Sequence, residues 1–261
     1  MLAVGAAAGV LAGLLGVGGG IVIVAALFIA FEALGHPAET MMHVCVATSL
    51  ATITPTSLRA FAAHHARGGA DIPLLRGWSP WIALGAVIGV LIASVARSDL
   101  LAMVFAVAAF FVALQMGLAP ASARLASAPP TGLRRNAAAT ALGGVSTIMG
   151  IGGGTFGVPL LTLWGVPVHR AVATAAGFGA IIALPATIGF IAAGWGAPDR
   201  PAFTLGYVHL PAVAVITPMT VLCAPYGAKL AHSADPKTLR LIFAAFLAVT
   251  ALNMARKTFY G

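Results

Sequence analysis

Long apolar runs separated by short polar connections occupy nearly the whole chain. The runs 1–31 and 136–168 contain no charged residue, and each is followed by three further apolar runs. A helix needs about 20 apolar residues to cross a bilayer. The pattern therefore predicts an all-α integral membrane protein with about eight transmembrane helices. The other six predicted spans are 38–62, 77–96, one ending at 118, 171–193, 203–230 and one from 236 to about 257.

The composition agrees with a membrane protein. Of the 261 residues, 60% are hydrophobic and 8% are charged, and the mean hydropathy is +1.02. A soluble domain has about 25% charged residues, so this chain cannot present a wet surface all round. The formal charge of +8 comes from Lys and Arg scattered at the ends of apolar runs, which excludes a nucleic-acid surface. No basic segment precedes the first run, so we expect a retained first span and not a signal peptide.

The second half of the chain repeats the first. Gly16 corresponds to Gly150, Pro37 to Pro167 and Pro55 to Pro185, and we also pair Pro80 with Pro211. The paired residues occur in the same order in both halves with only small shifts in spacing, as a duplication with short insertions would give. We predict two homologous four-helix halves, 1–118 and 136–261, joined by the linker 119–135. Whether the halves are parallel or inverted stays open, since it depends on whether each first helix is continuous.

Each half contains a glycine cluster in the middle of its first apolar run. The copies are Gly16-Val17-Gly18-Gly19-Gly20 and Gly150-Ile151-Gly152-Gly153-Gly154. Glycine costs about 1 kcal/mol relative to Ala within a helix. The run 1–31 would also reach roughly 46 Å as one helix, against a hydrocarbon core of about 30 Å. We predict a helix broken at each GxGGG motif; one long tilted helix with close glycine packing is the alternative.

A broken helix would create an anion site. The first four N–H groups of a helix lack intrahelical partners and carry about half a positive charge. Glycine lets an anion approach that backbone closely, and neighbouring hydroxyls add neutral donors. We predict substrate binding by three groups of residues: the helix starts at Gly18, Gly19, Gly20, Gly152, Gly153 and Gly154, the hydroxyls of Thr48, Ser49, Thr155 and Thr174, and the imidazole of His43. His43 could carry a proton or contact the anion, and a purely structural histidine is the alternative.

These motifs resemble those of the sulfite exporter TauE/SafE family of bacterial membrane transporters. The resemblance rests on the sequences at 13–20 and 150–154, on Ala47-Thr48-Ser49 and Ala173-Thr174, and on Gly206-Tyr207-Val208-His209-Leu210-Pro211. Ala25 stands where the family usually has a proline, and Ala175 stands where it often has serine. The resemblance implies transport of small sulfur-containing or organic anions across the inner (cytoplasmic) membrane, often as export.

We therefore predict a secondary transporter, favouring export, of anions such as sulfite or sulfonates, and not an enzyme. No Walker A pattern is present, and the residues suggest neither a cofactor nor a metal site. Protons are a candidate coupling ion, and a homodimer stays open. Two alternatives remain at this point: a passive anion channel that uses the same helix ends, and a membrane subunit that anchors a partner.

Overall fold

The computed structural model describes residues 19–118 and 126–233, together with 245, 248–249, 251–254 and 256. Within these ranges the regular secondary structure is helical apart from one small hairpin. The first half contains α1 (Gly20–Ala33), α2 (Ala38–Ala66), α3 (Ile72–Val95) and α4 (Ser98–Leu118). The second contains α5 (Gly132–Ile148), α6 (Gly153–Leu163), α7 (Val168–Ala193), β1 (Thr204–Leu205), β2 (Val208–His209) and α8 (Leu210–Ser233).

Among the residues that the structure describes, two helices are long and apolar enough to cross a membrane, α3 and α7. Shorter apolar helical stretches lie at Gly20–Ala33, Ser98–Leu114, Gly153–Leu163 and Leu210–Cys223. The predicted spans at 38–62, 77–96 and 171–193 each coincide with the greater part of one helix, namely α2, α3 and α7. The predicted linker 119–135 ends inside a helix, since α5 already begins at Gly132.

The predicted seventh span is wrong at its beginning. It was expected from 203, but the chain forms an antiparallel hairpin first, and α8 begins only at Leu210. Phe203 and Gly206 have φ angles of 61° and 57°, which no helix contains. Pro211 fits the first turn of α8, where its missing N–H costs nothing. The apolar pattern alone does not show this hairpin because its residues are as hydrophobic as those of the helix that follows.

The hairpin also changes how the halves align. Asp71-Ile72-Pro73 precedes and begins α3, and His209-Leu210-Pro211 precedes and begins α8. Pro73, and not Pro80, therefore occupies the position that matches Pro211. Pro80 lies inside α3. The residues between α7 and α8 account for the shift in spacing.

The two matching helices α2 and α7 run in opposite directions. A Cβ atom on Gly177, early in α7, would lie 3.0 Å from Phe61 Cδ2, late in α2. The beginning of α2 lies near the residues that follow α7, because Thr40 Oγ1 donates a hydrogen bond to the Asp199 carbonyl oxygen at 2.7 Å. These helices occupy the same place in each half, so their reversal is what inverted repeats produce.

Small residues allow α3 and α5 to pack with their backbones in contact. A Cβ atom on Gly85 would collide with the Thr140 carbonyl oxygen, and one on Gly143 with the Ile82 carbonyl oxygen. A Cβ atom on Gly89 would likewise lie 2.7 Å from the Gly144 carbonyl oxygen. Small residues at such contacts let membrane helices approach closely. Close packing therefore explains the glycines of this helix pair.

We expect Gly85→Ala to destabilise the protein by about 1 to 3 kcal/mol, the usual cost of overpacking. The added methyl meets rigid backbone on α5, so the helices must separate. Gly77→Ala on the same helix is the matched control, since its methyl would meet only the flexible end of Arg135, at 3.3 Å from Nη1. The melting temperature in detergent measures both. Equal melting temperatures for the two variants would contradict the packing described.

Candidate functional site

The second glycine motif lies where one helix ends and another begins. Helix α5 ends at Ile148, Gly150 adopts a left-handed conformation with φ of 67°, and α6 begins at Gly153. The Gly150 and Ile151 N–H groups donate to the carbonyl oxygens of Thr147 and Ser146, at 3.0 and 2.8 Å. These bonds satisfy the end of α5, whereas the first N–H groups of α6 have no acceptor within their own helix.

The first glycine motif also stands at the start of a helix. Helix α1 begins at Gly20, and Gly19 precedes it with a φ of 67°. The Gly19 carbonyl oxygen accepts hydrogen bonds from Val22 and Ile23, which fixes the first turn. Gly18 lies outside the described residues, as does the rest of the run before it. The predicted break is thus described on one side only in this half.

The two motifs meet in the structure. A Cβ atom on Gly20 would lie 3.0 Å from Ile151 Cα and 3.1 Å from the Gly150 carbonyl oxygen. Ser49 Oγ lies 2.8 Å from the Gly150 carbonyl oxygen and 3.3 Å from that of Gly20. Its single proton can be donated to either oxygen, so one hydroxyl joins both motifs. Helix α2 thereby holds the two helix starts together.

Ile53 fills the space between the two helix starts. Its Cδ1 atom lies 2.7 Å from the would-be Cβ of Gly20, and its Cγ2 atom lies 3.1 Å from that of Gly152. The side chain is fully buried, as are Ser49 and Thr48. Sequence reasoning did not single out Ile53, because an isoleucine in an apolar span carries no distinguishing signal. In this conformation the candidate site is packed shut by an apolar side chain.

Gly153 serves packing as well as the helix start. A Cβ atom there would lie 2.5 Å from Phe178 Cβ, 2.6 Å from Gly179 N and 2.8 Å from the Ala175 carbonyl oxygen. Both interpretations of the motif from sequence, close packing and a helix start, thus apply to the same residue. Gly154 and Thr155 follow it in the first turn of α6, where Gly154 is half-buried and Thr155 is buried.

The remaining predicted residues lie against other partners. Thr48 Oγ1 accepts a hydrogen bond from the His209 N–H at 3.0 Å, and Thr174 Oγ1 accepts one from the Asp71 N–H at 3.0 Å. His43 Nε2 lies 3.0 and 3.1 Å from the carbonyl oxygens of Ala93 and Ala96. These contacts place the proton on Nε2, since carbonyls only accept. A role of these three side chains in binding an anion stays a prediction.

The hairpin supplies an aromatic and histidine cluster that sequence reasoning did not predict. The Tyr207 ring lies 5.0 Å from that of His43, and the Phe31 ring lies 5.0 Å from those of both His36 and His209. The His36 and His209 rings are 6.2 Å apart. His209 Nδ1 accepts a hydrogen bond from Ala212 N at 3.2 Å, and so caps α8. In the sequence, residues 206–211 stand out only because they resemble the TauE/SafE family, and that resemblance does not indicate a hairpin or a histidine cluster.

Comparison with known proteins identifies the family. The sequence model of the sulfite exporter TauE/SafE family matches residues 1–254. The chain belongs to this family. It is 35% identical over 257 residues to a probable membrane transporter protein of Haemophilus influenzae, covering 98% of this chain and 97% of that protein. It is 25% identical over 265 residues to a probable membrane transporter protein of Methanocaldococcus jannaschii, covering 97% and 94%.

No solved structure matches the chain. Membership of the TauE/SafE family confirms the resemblance seen in the sequence, and both relatives carry the name of a membrane transporter. The chain is therefore a membrane transporter by family. In this chain, the candidate site brings the glycine motifs of both halves together at Ser49.

The His209 cap makes stability sensitive to acid. Burial, and then the neighbouring His36, lower the pKa of His209 below its ordinary value. The unfolded chain therefore binds this proton first as the pH falls through about 6.5, and unfolding becomes more favourable. Protonation at Nδ1 would also remove the acceptor for Ala212 N. Stability from this group is fully present above pH 6.5 and declines below it.

We expect His209→Asn to flatten the fall in melting temperature between pH 7.5 and 5.5. Asparagine keeps a capping oxygen at the start of α8 but does not titrate. His169→Asn, at an exposed position in the first turn of α7, controls for the loss of one histidine. Melting curves in detergent at several pH values give the comparison. A His209→Asn slope equal to that of the unchanged protein would show that this cap is not the sensitive group.

Proposed function

We propose that the protein is a secondary transporter for a small sulfur-containing or organic anion, such as sulfite or a sulfonate, in the bacterial inner membrane. In this proposal the chain is multi-pass with about eight apolar helical runs, and its two halves are inverted repeats because the broken first helix of each half makes the number of crossings per half odd. The observation that carries it is the meeting of two helix starts at Ser49, in a chain of the TauE/SafE family. Export is the proposed direction, in keeping with the family's description.

An anion suits the helix starts chemically. The first-turn N–H groups of α1 and α6 carry partial positive charge, and they lie in an interior lined by glycine backbone. An oxyanion can accept several N–H bonds at once, which an uncharged apolar substrate cannot. No buried arginine is needed, and neutral donors bind an anion without holding it too tightly for release. Ser49 orients the Gly150 carbonyl away from the anion by engaging it.

Carrier behaviour fits the closed packing better than a channel does. Ile53 occupies the space between Gly20 and Gly152, so an anion enters only after α1, α2 or α6 shifts. Inverted repeats exchange their conformations to open a central site first to one face and then to the other. The antiparallel arrangement of α2 and α7 supports such an exchange. A permanently open pore would need a continuous polar path instead.

We expect one sulfur oxyanion to raise the melting temperature of the purified protein and to be transported by it. Ligands that bind only the folded state stabilise it by mass action. The panel is sulfite, thiosulfate, sulfate, sulfoacetate, acetate and chloride, assayed by melting curves and by counterflow in proteoliposomes. Counterflow separates a carrier from a channel, since only a carrier exchanges internal for external anion. An imposed pH gradient then tests proton coupling.

Ser49→Ala and Ser79→Ala form the matched pair for this experiment. Ser49 joins the two motifs, whereas Ser79 donates only to the Leu75 carbonyl oxygen of its own helix, at 2.6 Å. Losing a hydrogen bond worth about 1 kcal/mol should weaken anion binding about fivefold in Ser49→Ala and not in Ser79→Ala. Absence of binding and counterflow for every anion of the panel would contradict the proposed substrate class.

A further inference from the structure

Two buried threonines make matching hydrogen bonds between the halves. Thr48 in α2 accepts the His209 N–H, and Thr174 in α7 accepts the Asp71 N–H, both at 3.0 Å. Both threonines are fully buried. Thr48 belongs to the first half and its donor to the second, while Thr174 belongs to the second half and its donor to the first. Each bond is therefore a direct link between repeats.

The two donors have the same place in the fold. Asp71 immediately precedes α3, and His209 immediately precedes α8. Each also caps its helix at the third position, where Asp71 Oδ1 accepts from Leu74 N at 3.0 Å and His209 Nδ1 accepts from Ala212 N at 3.2 Å. Each is followed by an aliphatic residue and a proline. The two bonds therefore join corresponding pairs of elements, α2 with α8 and α7 with α3, although Thr174 lies about one helical turn nearer the start of its helix than Thr48 does.

The two bonds lie toward opposite ends of the α2–α7 pair. Asp71 follows the end of α2, and Gly69 beside it would place a Cβ 3.4 Å from Ala173 Cβ, early in α7. His209 follows the end of α7, and the segment before it contacts α2 at Thr40. Because these helices are antiparallel, one bond lies toward each end of the helix pair. Thr48 also directly precedes Ser49, so the first bond and the glycine site are held by adjacent residues of α2.

We propose that Thr48 and Thr174 are alternating latches of the transport cycle, each holding the entrance at one membrane face closed. This inference rests on the proposed transport function. Opening toward one face breaks the latch there. Helix α8 can then move away if the Thr48 bond breaks, or α3 if the Thr174 bond breaks, while the other latch stays closed. The released N–H must then find water, so a latch opens only as its face becomes hydrated. In the present structure both latches are closed and Ile53 fills the site, which corresponds to an occluded state.

Side-specific labelling tests the latches. In a background with Cys45→Ala and Cys223→Ala, Val208→Cys reports on the first latch and Ala173→Cys on the second. Val208 is adjacent to His209, Ala173 is adjacent to Thr174, and both side chains are buried at 3% and 1% exposure. A membrane-impermeant maleimide is applied from each side in right-side-out and inverted vesicles. Labelling needs no substrate, so its outcome is independent of whether any anion of the panel is transported.

We expect Thr48→Val to speed labelling of Val208→Cys about fivefold and to leave Ala173→Cys unchanged, with the converse for Thr174→Val. Fivefold is the population change given by a hydrogen bond of about 1 kcal/mol. Thr48→Ser and Thr174→Ser, which keep the hydroxyl, should restore the original rates. Thr→Ala variants carry the same test if a valine variant fails to insert. Equal changes at both reporters, no change at either, or failure of serine to restore the rate would each overturn the proposal.

Discussion

The ends of helices α1 and α6 impose the constraint on which this structure depends. Each begins inside an apolar interior, where the helix itself does not satisfy every N–H group of the first turn. Such ends are tolerated in a membrane protein only where protein or a bound group lies against them. Gly20 and Gly153 let neighbouring backbone approach, and Ser49 Oγ lies within hydrogen-bonding distance of the Gly150 and Gly20 carbonyl oxygens. Packing and anion binding are therefore two uses of the same exposed backbone.

Helices α2 and α7 run in opposite directions, and each contacts the other half. The glycine motif of the second half lies beside α2, where Gly152 faces Ile53, and each of the two helices carries a threonine that receives a backbone N–H from the opposite half. Several contacts between the halves thus involve backbone, as between α3 and α5, and such contacts allow little adjustment at one point without movement of a whole helix. Rigid movement of helices is the kind of change that alternating access requires.

Much of the architecture could be read from the sequence. Helices α2, α3 and α7 lie where the apolar runs predict them, because that signal is local. The described helices α1 and α6 begin at glycines of the repeated motif. Thr48, Ser49 and Thr174 were singled out as hydroxyls in apolar spans. Sequence spacing could not show that Thr48 and Thr174 face capping residues of the other half, since that pairing depends on helix direction.

Other features had no local signal. Ile53 is one of many aliphatic residues, and only the approach of Gly20 and Gly152 gives it a distinct position. The hairpin before α8 is as apolar as a span, so its strands were read as helix. His43 stays a predicted substrate contact, and no local pattern shows that its Nε2 lies 3.0 and 3.1 Å from two carbonyl oxygens at the end of α3. Long-range contacts, and not composition, decide each of these cases.

The central claim is that the two glycine motifs form one anion site at Ser49. The most direct measurement locates the anion itself, by anomalous diffraction from crystals soaked in selenite, the heavier analogue of sulfite. The account predicts a selenium peak against the first turn of α6, within hydrogen-bonding distance of N–H groups at 153–155 and close to Ser49. A selenium peak elsewhere in the protein, or none at a concentration at which selenite is transported, would contradict it.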